Sequence, residues 1–260
     1  ISELMLILPG LSLQIQQYLW LATFVTFAVK IPMIPLHTWL PDAHVQAPTA
    51  GSVILAGILL KLGGYALLRI SLPMLPAASE YFAIYVLWLS GAAVVYASLV
   101  ALAQTDMKKM VAYSSVAHMG YVTAGIFSLS AIGIGGAVFQ MLSHGVISSA
   151  LFLIVGILYE RRKTKEIDQY GGVAKVMPQL AVAFMIAMLG SVGLPGLSGF
   201  VGEFMSIVGV FGANPLVGVL CAFGVVLGAV YMLKLYRKVM FGAVSDESIL
   251  ALKDLKFSEK

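Results

Sequence analysis

Five ionisable side chains stand where the sequence is otherwise apolar: Lys30, Lys61, His118, His144 and Glu203. At membrane depth a charge costs about 2.5–3.5 kcal/mol on insertion scales, so such residues are rare and mark ion pathways or paired sites. Lys61 lies in AGILLKLGGYALL, too far from either end of its apolar run to reach water easily. An amine shielded from water gives up its proton more readily and can load and release one. The plain alternative is an ion pair between helices. His144, in FQMLSHGVISSALF, has Gln140, Ser143 and Ser148 nearby. Its two ring nitrogens can take a proton on one side and pass it on from the other. His118, with Ser114 and Ser115 one turn before it, is a weaker case of the same kind. Packing is the plain alternative for both histidines.

The remaining two flank helix breakers. Lys30 precedes Pro32 and Pro35, and Glu203 follows Gly193, Pro195, Gly196 and Gly199. Proline removes a backbone donor and clashes with the preceding turn, so both apolar segments are expected to be broken helices. A break leaves free carbonyls on one side, which favour a cation, and free N–H groups on the other, which favour an anion. Paired breaks of this kind point to the ion site of a secondary transporter. An interfacial lysine and a surface helix cap are the plain alternatives.

These residues must be positioned by membrane-spanning helices. The chain is 60% hydrophobic and 11% charged, against about 45–50% and about 25% for a soluble domain, and its mean hydropathy is +0.96. A crossing needs about 20 apolar residues. Seven candidates lie near 12–30, 49–70, 81–103, 107–128, 132–159, 178–212 and 215–236. The expected fold is therefore all-α: a polytopic transmembrane helix bundle with two discontinuous helices over residues 1–240. Residues 241–260 form a polar surface segment, with Asp246, Glu247, Lys253, Asp254 and Lys256. The chain starts at Ile1 with no leader pattern and reads as a fragment, incomplete at both ends.

Basic residues segregate to one side. Lys108 and Lys109, then Arg161, Arg162, Lys163, Lys165 and Lys175, then the tail from Arg237, all fall on one face. The loops of the other face, 71–80, 129–131 and 213–214, contain no Lys or Arg. The net charge of +4 thus reads as membrane orientation, with the basic face toward the cytoplasm or matrix, and not as nucleic-acid binding. The lone Cys221 gives no disulfide or thiolate cluster, and Gly133, Gly135 and Gly136 follow no strand, so they are not a dinucleotide fingerprint. His37 and His44, with Asp42, are read as loop-structuring residues before metal ligands. No cofactor or metal site is expected in this chain.

Four stretches, KIPMIPLHTWLPDAHVQAPTAGSVILAGILLKLGGYALLR (30–69), QTDMKKMVAYSSVAHMGY (104–121), FQMLSHGVISSALFLIVGILYERR (139–162) and GLPGLSGFVGEF (193–204), resemble the antiporter-like subunits of proton-pumping NADH:quinone oxidoreductase, respiratory complex I. The spelling fits one of that family's three paralogues better than the other two, and better than the subunits of cation/proton antiporters and membrane-bound hydrogenases. The resemblance implies an inverted-repeat fold. It also implies a proton relay in which Lys30 pairs with a glutamate on an earlier helix, Lys61 is the central carrier, His118 and His144 continue the axis, and Glu203 ends it toward the next subunit. NADH, FMN, iron–sulfur clusters and quinone are then expected in partner subunits. The partners are other membrane-arm subunits and the lipid bilayer, in a bacterial plasma membrane or mitochondrial inner membrane. A purely structural membrane subunit is the alternative from another class.

Overall fold

The structure is a computed structural model of the chain, described for residues 2–244, 247–256 and 259. It is helical, with a single isolated β-bridge, Asp106 to Glu166, among the described residues. The helices are α1 (Ser2–Ile7), α2 (Leu13–Lys30), α3 (Trp39–Gln46), α4 (Thr49–Met74), α5 (Pro76–Ala103), α6 (Met107–Phe127), α7 (Ala131–Arg162), α8 (Pro178–Val192), α9 (Ser198–Ala213) and α10 (Pro215–Met240).

All seven expected segments are helical. Four helices, α4, α5, α7 and α10, are long and apolar enough by themselves to cross a membrane. The others depart from that pattern for separate reasons. α2 opens with Gln14, Gln16 and Gln17, and the 178–212 segment is split into α8 and α9. α6 carries Lys108, Lys109 and three polar residues on its first three turns, yet only Lys109 and Tyr113 are not buried. It is the central helix, packed between α5, α7 and α9, so its polar groups face protein and not lipid.

Both breaks fall where the prolines and glycines put them. α2 ends at Lys30, with the Ile31 N–H donating to the Phe27 carbonyl (2.8 Å), and the chain restarts as α3. α8 ends in left-handed Gly193 (φ 77°), where the Leu194 N–H reaches back to the Leu189 carbonyl (3.1 Å), the bond that closes a Schellman motif. Only glycine adopts this conformation without strain. The Lys61 helix departs from regular geometry too. α4 contains two π-helical turns, Leu55–Leu59 and Leu67–Ser71, on either side of Lys61. Such widened turns are frequent at functional sites, and nothing in the spacing of the sequence announces them.

Two apolar clusters fill the bundle. One, around Trp20, Phe127 and Val94, lies toward the lysine-free loops, and the other, around Phe152, Phe184 and Leu235, lies toward the basic ones. Met141 belongs to the first and Leu151 to the second, so His144 on the same helix falls between them.

On the lysine-rich face, the free carbonyls at the end of α3 receive two amines: Lys165 Nζ donates to Val45 O (2.9 Å) and Lys108 Nζ to Ala47 O (2.7 Å). Cations are favoured at a helix C-terminus. Tyr170 ties the following loop down by donating to Thr164 O (3.0 Å), and burial pushes its phenol up to about 12 against the opposing Arg162. The polar tail folds back onto this face. Ile249 is buried, and the Asp254 carboxylate accepts from the first N–H groups of α8, Gln179 (2.9 Å) and Leu180 (3.2 Å). Partial burial works to raise the Asp254 carboxyl, but the Gln179, Leu255 and Leu180 N–H groups and Arg161 outweigh it and hold it below the usual carboxylate range. Of the tail residues read as polar surface, Asp246 lies outside the described residues.

Candidate proton-relay site

α4, α6, α7 and α9 bring four of the five ionisable residues into one row. Lys61 Nζ lies 2.7 Å from His144 Nδ1 and also donates to the Ala56 carbonyl in the first π turn. The His144 and His118 rings are 5.2 Å apart between centroids. His118 Nδ1 lies 2.9 Å from Glu203 Oε1, and its Nε2 is 3.2 Å from Ser191 Oγ. His118, His144 and Glu203 are buried and Lys61 is half-buried.

Close helix contact makes these distances possible. A Cβ on Gly202 would stand 2.7 Å from the Gln140 backbone, and one on Gly193 would stand 2.7 Å from Glu203 Oε2. Gly57 and Gly145 set the crossing of α4 and α7 beside Lys61, where a Cβ on Gly145 would lie 2.9 Å from the Gly57 carbonyl. On its outer side Lys61 faces an apolar groove of about 830 Å³ between the same two helices.

Glu203 is held differently from the sequence expectation. It sits in the second turn of α9, beyond the free N–H groups at Ser198, and side chains hold it instead: His118, and the Gln140 amide donating at 3.2 Å. A buried carboxylate needs partners of this kind. Gln140 precedes His144 by four residues on one helix face, which is the signal that marks it. Ser191 shows no comparable signal, since only the folding of α8 against α6 brings it to His118. His118, weaker than His144 in the sequence, is the direct neighbour of Glu203.

Lys30 stands apart. Its side chain is exposed at the end of α2, with no ion pair or hydrogen bond among the described residues. The break it marks packs closely on the Lys61 helix, where a Cβ on Gly63 would lie 2.8 Å from the Ile31 nitrogen. His37 and His44 do not form a metal site with Asp42. His37 packs edge-on against Tyr96 (5.5 Å), and His44 stacks on Phe152 (4.3 Å). No group of three potential His, Cys, Asp or Glu ligands is close enough to hold a metal ion among the described residues.

The family model described as "NADH:quinone oxidoreductase/Mrp antiporter, TM" matches residues 1–228. The chain belongs to that family. It is 67% identical to NADH-quinone oxidoreductase subunit M of Rickettsia bellii over 95% of this chain and 50% of that protein. That subunit is the paralogue whose spelling the sequence fits. Among solved structures, a chain of respiratory complex I from Thermus thermophilus with bound NADH superposes with TM-score 0.87 at 34% identity, over 94% of this chain and 51% of that one. A chain of an archaeal membrane-bound sulfane sulfur reductase superposes with TM-score 0.93 at 27% identity, over 99% and 44%. The chain thus spans about half the length of the relatives it matches. Family and structure agree on a membrane-embedded, antiporter-like helix bundle.

Proposed function

We propose that this chain carries the proton-relay half of a proton-translocating membrane-arm subunit of NADH:quinone oxidoreductase. Oxidation of NADH and reduction of quinone take place in partner subunits, which hold FMN, the iron–sulfur clusters and quinone. The observation that carries this reading is the row Lys61, His144, His118, Glu203, in which each neighbouring pair is in contact.

A proton leaving the Lys61 ammonium forms an N–H bond at His144 Nδ1. His144 passes a proton on toward His118, and His118 delivers one to Glu203 Oε1, converting carboxylate to acid. The two imidazole rings exchange through small reorientations, since their centroids are 5.2 Å apart. The apolar clusters above and below confine the proton to this layer. Lys30, at the break that packs on the Lys61 helix, acts on the loading of Lys61 by its charge. Glu203 ends the row toward a neighbouring subunit.

The test is Lys61→Ala in the assembled, membrane-reconstituted complex, with proton uptake measured against NADH oxidised. Loss of translocation with assembly retained supports the relay, and translocation at the wild-type level sinks it. A cation/proton antiporter subunit would use the same row. It would co-purify with small membrane subunits, in place of flavin and iron–sulfur subunits.

A further inference from the structure

Glu203 is approached by two donors of different kinds. His118 Nδ1 and Gln140 Nε2 both lie against Oε1, at 2.9 and 3.2 Å, and stand 3.5 Å from each other. An imidazole N–H can leave as a proton, whereas a side-chain amide N–H only donates a hydrogen bond. His118 therefore stops donating from Nδ1 once it delivers a proton, and Gln140 donates whatever His118 carries. The other end of the same amide is idle. Gln140 is buried, and its Oε1 has no hydrogen-bond partner among the described residues. Buried amides are normally paired at both atoms. That oxygen lies beside Gly202, where a Cβ would stand 2.5 Å away, so a side chain at 202 would push the amide off its place. The amide is thus anchored through its nitrogen alone, and the bond that turns it has a broad, soft torsional preference.

α7 and α9 do not need this contact to stay together. One turn after Gln140, Ser143 Oγ donates to Ser198 Oγ (3.0 Å). One turn before it, a Cβ on Gly136 would stand 2.5 Å from the Ser206 nitrogen. The two helices are closed on both sides of Gln140, which leaves its amide to serve the carboxylate.

We propose that Gln140 is a positioning residue that keeps Glu203 ionised until the relay loads it, and then turns to hold the acid. This rests on the relay reading above and adds what decides when Glu203 accepts. Before transfer the amide N–H donates to the carboxylate, a bond strengthened by the charge of its acceptor. In the transfer the His118 Nδ1–H bond breaks and the Glu203 Oε1–H bond forms. The His118 imidazolium becomes the neutral ring, with its electron pair on Nδ1 and Nε2 still toward Ser191. The amide then turns about its last side-chain bond. Its oxygen, idle before, accepts from the new O–H, and its N–H moves to the bare His118 Nδ1. Donor and acceptor on one planar group keep every member paired in both states. No proton passes through Gln140 itself.

Gln140→Met keeps the length of the side chain and removes both its donor and its acceptor. Infrared spectra of the assembled complex, at rest and after NADH, each taken against Glu203→Gln, read the Glu203 acid through its C=O band. Without the amide, Glu203 is expected to be protonated at rest. Its band is then present before NADH, and the NADH-induced rise falls about tenfold, with subunit assembly unchanged. A change confined to packing would lower stability without producing a resting band. Wild-type complex carrying glutamine with an isotope-labelled side-chain carbonyl needs no substitution at Gln140. There a glutamine C=O band is expected to move to lower frequency as the Glu203 band rises, and to stay still in Glu203→Gln. If Gln140→Met has no resting band and a wild-type rise, or the labelled band stays still while the Glu203 band rises, this role of Gln140 is overturned and the relay stands. If no Glu203 band rises in the wild-type complex, the relay reading falls with it.

Discussion

The two broken helices use one device and finish it in opposite ways. At the first break, proline ends α2 with Lys30 exposed and without an ion pair among the described residues. At the second, a left-handed glycine ends α8, and Glu203 one turn into α9 is buried and held by His118 and Gln140, with Gly193 leaving room beside its carboxylate. Breaking a helix therefore does not by itself bury an ionisable group. The partner side chains presented by the neighbouring helices decide which break holds one. Here α6 and α7 cover the second break with His118 and Gln140, and α4 covers the first with two glycines, Gly63 and Gly64.

The contrast is sharpest in stability. His118→Ala leaves Glu203 as a buried charge short of its main partner and is expected to destabilise the detergent-solubilised protein by roughly 3–5 kcal/mol. Denaturation midpoints of the two variants check this, because Lys30→Ala at an exposed position should stay within about 0.5 kcal/mol. Equal losses would erase the difference between the breaks.

Glycine substitutions come next. Gly202→Ala forces a Cβ against the Gln140 backbone, and Gly63→Ala forces one against Ile31 and Phe27. Each is expected to cost about 1–3 kcal/mol. The two should differ in function, since Gly202→Ala moves Gln140 off Glu203 and lowers proton translocation in the assembled complex more than its stability loss explains. Translocation rates normalised to assembled protein would show the split.

The smallest effect belongs to the tail. Asp254 caps α8, whose far end carries Ser191 and Gly193, so Asp254→Asn should lower stability by about 1 kcal/mol at neutral pH or less. The folded Asp254 carboxyl lies below its ordinary value. Its contribution is therefore fully present above that ordinary value and lost as pH falls through the folded one. The variant and wild type should converge in acid, which thermal unfolding at pH 7 and near pH 2 would reveal.

The sequence and the structure agree most closely where periodicity and breakers speak. The seven apolar segments, the stops after Lys30 and after Val192, and the lysine-rich face could all be read from residue types alone. Lys61, His144 and Glu203 were legible as ionisable groups in apolar runs. Their order in space was not. His118 lies between His144 and Glu203 because α6 runs through the centre of the bundle, and an almost wholly buried helix has no polar face for a sequence pattern to show. The π turns around Lys61 and the reach of Ser191 to His118 depend on how helices distant in sequence pack.

In the proposed relay, Glu203 takes up a proton delivered along the row from Lys61. Infrared difference spectroscopy of the assembled complex, triggered by NADH, reads carboxyl protonation directly. A carboxyl C=O band that rises during turnover, disappears in Glu203→Gln and is strongly reduced in Lys61→Ala is the predicted result. A Glu203 band that rises undiminished in Lys61→Ala, or no Glu203 band at all during coupled turnover, would contradict it.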